Sequence, residues 1–206
     1  MRAMSSMRRA DGDLDRVKDR PGGRSSQIRE AVKAAVHEEL IATGYAELSY
    51  RNIARRAGVD ASTLYRRWPT RPRLVADLLL GLSDEFVTIP DTGTLEGDLT
   101  DLLQQIVQGL ADVRTRKVAL SLAIAASDGD EEVTEVMRTF WHHRFAAASV
   151  ILDRAYDRGE IAGSHPCDLI IENLTTAAWF RAIFSQRPID KTFVEKRVAA
   201  TLKLLT

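Results

Sequence analysis

The sequence predicts an all-α fold of about nine helices, and three observations carry that expectation. Apolar residues recur at three- and four-residue steps along most of the 206 residues. Capping and breaking residues fall between those stretches at helix-length intervals. No clear run of alternating apolar and polar residues marks a strand, and no internal repeat interrupts the pattern.

Composition bounds the class. Hydrophobic residues make up 45% of the chain, enough for a sizeable core, and 28% charged residues suit a soluble globular protein rather than a disordered one. The formal net charge of zero conceals an asymmetry. Residues 1–73 hold 16 Lys/Arg against 9 Asp/Glu, and residues 74–206 hold 13 against 20. A basic first third suggests a polyanionic partner, although chance clustering on solvated faces leaves the same imbalance. Cys167 is the one cysteine, so there is no intrachain disulfide framework. MRAMSSMRRADGDLD lacks the apolar core of a secretory signal, and VALSLAIAAS at 118–127 is too short to span a bilayer. The expectation is a cytoplasmic protein with no membrane partner.

The elements follow in order. Residues 1–25 are polar and end in DRPGGRSS. They read as a disordered arm, whose seven basic and four acidic residues leave both DNA-backbone contact and an inert tail open. From Ser26, the stripe Ile28, Ala31, Val32, Ala35, Glu39 and Leu40 predicts a helix over about 26–43, stopped by Gly44. Ser49 caps a short helix ending at Gly58. Asp60 caps another, about 61–67, which Pro69 closes because the residue before a proline avoids the helical region. Thr70 is the expected cap of a fourth helix. Val75, Leu78, Leu79, Leu82 and Phe86 carry that helix to about residue 88, and Pro72 is tolerated in its first turn. After the loop IPDTGT come helices of about 95–112, 115–126 and 131–158. The longest opens on SDGDEE, has an expected inner face of Val133, Val136, Met137, Phe140, Trp141, Phe145, Ala148, Leu152 and Tyr156, and stops at Gly159. SHPCD opens a helix of about 167–185, and QRPID separates it from a last one of about 191–205.

The two short helices raise the functional question. Helices of seven or eight residues do not persist alone in water, so each must be packed. Ile53, Ala54, Ala57, Leu64 and Trp68 can bury against Val32, Val36 and Leu40, with Gly58 making a tight turn and Val59 filling the corner. That leaves Ser62, Thr63, Tyr65, Arg66 and Arg67 outside, with Arg51 on the preceding helix. Hydroxyls and guanidinium groups suit phosphate oxygens, and arginine also suits the guanine edge in the major groove. The Asp60-capped helix start adds backbone amides for phosphate. A purely structural αα-hairpin shares this skeleton. Here no free acid stands on the outer face and the pair lies in the basic third, which favours DNA.

The block SYRNIARRAGVDASTLYRRWPTRPRLV, residues 49–75, resembles the TetR family of bacterial transcriptional regulators. It is similar to that family's sequence of a Thr/Ser cap, Ile-Ala, Ala-Gly-Val, a polar cap, Thr-Leu-Tyr, an aromatic, and a basic residue before an apolar helix. Through the resemblance, Thr63 and Tyr65 take phosphate-gripping positions, and Arg71 keeps the charge where lysine is usual. Two departures stand out. Asp60 replaces a usual serine and must turn back onto its own helix, and Arg67 stands where an aromatic is frequent. The resemblance implies a helix-turn-helix domain at 26–70 and an effector-binding and dimerisation domain at 71–206. It also implies a homodimeric repressor on a palindromic double-stranded DNA operator, released by a small molecule whose identity the sequence does not give.

For the dimer, the last two helices offer Ile170, Leu174, Ala177, Ala178 and Phe184, and Val194, Val198, Leu202 and Leu205. Those faces can equally close the core of one chain. For the effector, the middle helices offer Phe86, Met137, Trp141, His142, Phe145, Tyr156 and Trp179, residues that at helical spacing also serve as core. His142 and its neighbour His143 point about 100° apart on a helix and cannot share one ion. No cluster has metal-ligand spacing, and no cofactor is expected. The alternative class is a small all-α enzyme or ligand carrier without a DNA role. Against an enzyme stand the lack of a Gly-rich phosphate loop, a histidine–acid pair and a nucleophile elbow. Cys167 at a helix start reads as structural.

Overall fold

The computed structural model describes residues 21–86, 88–163 and 165–205; for residues 21–25 and 80–86 only the backbone is described. Among these residues the regular elements are all helices: α1 (Pro21–Thr43), α2 (Tyr50–Ala57), α3 (Ala61–Arg67), α4 (Arg71–Phe86), α5 (Leu95–Ala111), α6 (Val113–Ser127), α7 (Glu131–Asp157), α8 (Cys167–Phe180) and α9 (Lys191–Leu202). A π-helical turn, Arg181–Ser185, continues α8. The expected arm of residues 1–25 is thus helical from Pro21, where a proline in the first turn forfeits no hydrogen bond, and its residues 1–20 lie outside the described residues.

Aspartates, a serine and a threonine open six of the helices. Ser49, Asp60, Thr94, Asp112, Asp130 and Asp190 each accept a hydrogen bond from a backbone amide of the first turn. Thr70 does something else. Its hydroxyl donates to Glu132 Oε1 on α7 at 2.6 Å, while its carbonyl accepts the Leu74 amide at 3.2 Å at the start of α4.

Two hydrophobic cores organise the helices. The first gathers α1 to α4 around Val32, Val36, Leu40, Ile53, Leu64, Trp68, Leu74, Val75 and Leu78, and takes in Val118 and Leu122 of α6 and Val133 of α7. Ile53 and Leu64 have no exposed surface, and burying each is worth about 1.5–3 kcal/mol, which is what holds helices of eight and seven residues in place. The second core joins α5, the C-terminal half of α7, α8 and α9 around Leu99, Leu103, Ile151, Leu174 and Val198. Helix α7 belongs to both. Its start is tied to the first core's helices by Glu132, which meets Thr70 and Arg73, and by Asp130, which accepts from Tyr45 Oη at 3.3 Å.

The second core corrects two expectations. Ile170, Leu174 and Ala178 of α8 are at most 3% exposed, and Val194, Val198 and Leu205 at most 5%, so they close the core of a single chain instead of forming a free dimer face. Ala177 and Leu202 are half-buried against the same core. The reason is geometric: α8 and α9 are the elements that cover α5 and α7, and their apolar faces are used there. Tyr156 also leaves its expected place on the inner face of α7, with 57% of its surface exposed.

Candidate nucleic-acid interface

The site begins with a buried carboxylate on α1. Glu39 is 1% exposed and accepts from Asn52 Nδ2 at 2.7 Å and Arg56 Nε at 3.1 Å, both on α2. These charge-assisted bonds fix the rotation of α2 about its axis. Gly58 follows at φ 65°, in the left-handed region. No atom lies within 4 Å of where its Cβ would stand, so the backbone angle, not crowding, calls for glycine. Val59 packs against the first core at the turn.

Asp60 then opens α3. Its Oδ1 accepts from the Ser62 amide at 2.7 Å, and bonds from the Ser62 hydroxyl and amide hold its carboxyl below the usual range. The carboxylate is turned back onto its own helix, as an acid beside DNA must be.

Leu64 and Trp68 turn inward from α3, while Ser62, Tyr65, Arg66 and Arg67 are exposed and Thr63 is half-buried. Arg51 on α2 is exposed as well. Tyr65 is 56% exposed, yet its ring lies on that of Tyr50, with centroids 4.5 Å apart and planes 18° apart. The Tyr50 hydroxyl donates to the Trp68 carbonyl at 2.6 Å. Burial pushes the Tyr50 hydroxyl up to about 12, so it stays a neutral donor. The Arg67 guanidinium stands 5.2 Å over the Trp68 ring. Arg71, expected on phosphate, donates from Nη1 to the carbonyls of Ala46 at 2.9 Å and Leu48 at 3.5 Å, bracing the loop before α2 while its residue remains exposed.

Sequence reasoning missed the supports behind this surface. Tyr50, Glu39 and the Arg29–Asp77–Trp68 group escaped it because each links residues on different elements. A buried glutamate on an apolar stripe was the one readable sign, and Glu39 does sit in that stripe.

The effector candidates divide. Trp141, Phe145 and Trp179 come together: Trp141 stacks on Phe145 with centroids 5.9 Å apart and meets Trp179 edge-on at 6.0 Å. Met137 packs against the first core instead. His142 and Tyr156 are exposed and do not join the rings. The Phe86 side chain lies outside the described residues. A groove of ≈ 160 Å³ between α4 and α7 is lined by Ala76, Glu135, Val136, Thr139 and Phe140, none of them among the candidates. Cys167 is half-buried, its thiol donates to the Phe145 carbonyl at 3.6 Å, and burial pushes it up to about 11, which keeps it protonated and unreactive at neutral pH. Of the dimer candidates only Phe184 is well exposed, at 71%; it stacks with Phe180, itself 56% exposed, and Leu169 on α8 is 57% exposed.

Comparison with known proteins bears on the whole arrangement. Residues 32–78 match the family described as bacterial regulatory proteins, tetR family, and residues 89–201 match the tetracyclin repressor-like C-terminal domain. The chain is 32% identical over 151 residues to the HTH-type transcriptional regulator AqdR of Rhodococcus erythropolis, which spans 73% of this chain and 72% of that one. Its fold is similar to that of the TetR family transcription regulator SCO0332, with a TM-score of 0.71, 27% identity, and coverage of 86% of this chain and 97% of the other. It is also similar to the Flavonoid-responsive Regulator FrrA, with a TM-score of 0.64 at 18% identity over 87% and 95% of the two chains. Short helices braced to present hydroxyls and arginines, on a helical body that both family descriptions fit, make this chain a member of the TetR family of DNA-binding transcriptional regulators.

Proposed function

We propose that the chain acts in the cytoplasm as a homodimeric repressor of a palindromic operator, released by a small molecule. The observation that carries this is the outer surface of α3, where Tyr65, Arg66 and Arg67 are exposed on a helix whose apolar side is fully used in the first core. In a twofold dimer the two α3 helices would enter successive major grooves about 34–36 Å apart. Thr63, Tyr65 and Arg71 grip phosphates in this reading, Arg51 and Arg66 add charge, and Arg67 reads base edges.

The dimer forms on the outer side of α8 and the π-helical turn, where Leu169, Phe180 and Phe184 are more than half exposed. The effector enters near the ring cluster of Trp141, Phe145 and Trp179 and the groove between α4 and α7. FrrA, whose name describes it as flavonoid-responsive, shares this fold and supports a small-molecule effector in general terms. The domains follow the division at about residue 70, with the head reading DNA and the body sensing. The chain carries out no chemical turnover in this reading.

The test is selection of bound duplexes from the source genome, followed by a salt titration. If each subunit neutralises about three to four phosphates, log K falls against log salt with a slope of about −5 to −7. A flat response, or no enriched palindrome, sinks the proposal.

A further inference from the structure

We propose that Tyr50 is a positioning residue for DNA binding: it holds the Tyr65 ring in the orientation in which its hydroxyl meets the operator backbone. The inference rests on the reading of Tyr65 as a DNA contact. Tyr65 is the aromatic side chain on α3 that is both exposed and stacked on a neighbouring ring. An exposed tyrosine has two free side-chain torsions and loses that freedom when it binds. Here the freedom is already restricted, because the ring lies flat on Tyr50 at 4.5 Å.

Tyr50 is itself packed in place. It is 7% exposed, sits in the first turn of α2, and its hydroxyl is fixed on the Trp68 carbonyl at 2.6 Å. One residue of α2 therefore contacts α3 at two levels, at Tyr65 with its ring and at Trp68 with its hydroxyl. The α2 helix that carries it is locked in turn by Glu39 through Asn52 and Arg56. A hydroxyl presented this way donates to phosphate without first being ordered, which is how preorganisation raises affinity.

A double-mutant cycle tests it, read by fluorescence anisotropy on a labelled duplex selected by the wild-type protein, with thermal melts of each variant as the fold control. Tyr65→Ala is expected to weaken binding about tenfold. Tyr50→Leu, which keeps apolar bulk but removes the flat ring, is expected to weaken binding about fivefold to tenfold with Tyr65 present. With Tyr65 already alanine it should cost less than about twofold. Tyr50→Phe keeps the ring and should bind within about threefold of wild type.

An equal loss from Tyr50→Leu in both backgrounds would mean that Tyr50 only supports the head, and the proposal is overturned. A normal affinity for Tyr50→Leu overturns it too. If Tyr65→Ala binds normally, the contact assigned to Tyr65 falls first and the proposal with it. Should Tyr50→Leu fail to fold, the full-length wild-type protein still decides. Tyr65 ring protons must show an upfield ring-current shift that persists in Tyr50→Phe, and unshifted protons overturn the proposal.

Discussion

Trp68 donates its indole Nε1–H to Asp77 Oδ2 at 3.2 Å, and Arg29 Nε donates to the same oxygen at 3.0 Å. One carboxylate on α4 thus joins the end of α3 to α1. Burial pushes the Asp77 carboxyl up, but the hydrogen bond and charge of Arg29, with Lys33 and the Trp68 indole, outweigh it and hold the value below the usual range. A depressed folded value means that stability is fully present above the unfolded value of about 3.9 and is lost as pH falls through the folded one. Asp77→Asn should therefore melt lower than wild type at neutral pH, and the two should converge as pH drops below about 4. Parallel melting curves down to acid would contradict this.

Gly97 in the first turn of α5 has no room for a side chain. A Cβ there would overlap Thr92 Oγ1 and stand 2.8 Å from Thr94 Oγ1. Thr92 cannot simply swing aside, because its hydroxyl and amide both bond Asp98, which is fully buried. Gly97→Ala should cost about 1–3 kcal/mol in a denaturant titration. Undiminished stability would show that the threonine can relocate freely.

Arg71 and Arg66 should separate stability from binding. Arg71 braces the loop before α2 through two carbonyls, so Arg71→Ala should lower both the melting temperature and DNA affinity. Arg66 is exposed on α3, and Arg66→Ala should weaken binding several-fold with the melting temperature unchanged within about a degree. Calorimetry alongside anisotropy checks both, and a matched pair of effects at the two sites would undo the distinction.

The exposed rings of Phe180 and Phe184 should govern assembly. They stack at 5.7 Å and stand beside the end of α8. Phe184→Asp is expected to shift the chain from dimer to monomer in sedimentation and to reduce operator binding, while its helix content stays the same. A Phe184→Asp variant that remains dimeric moves the interface elsewhere.

How much of this was legible follows from the range of the forces involved. The helices and most of their ends were legible in the sequence, because caps such as Ser49 and Asp60, and glycines such as Gly58, act within a turn of the residues they cap. The inward sides of α1 to α3 and the exposed hydroxyls and arginines of α3 were also legible, because on these helices the apolar residues keep to a single side. Tertiary structure decided what each polar group is used for and which apolar face is left over. Arg71 turned to two carbonyls, Thr70 reached Glu132, and Tyr50 found Tyr65, pairings between elements that no local rule encodes. The apolar residues of α8 and the turn after it are not confined to one side, and the packing of α5 and α7 took Ile170 and Leu174 into the core and left Phe180 and Phe184 exposed. Burial is set by which surface a neighbour covers, and neighbours distant along the chain are a property of the fold.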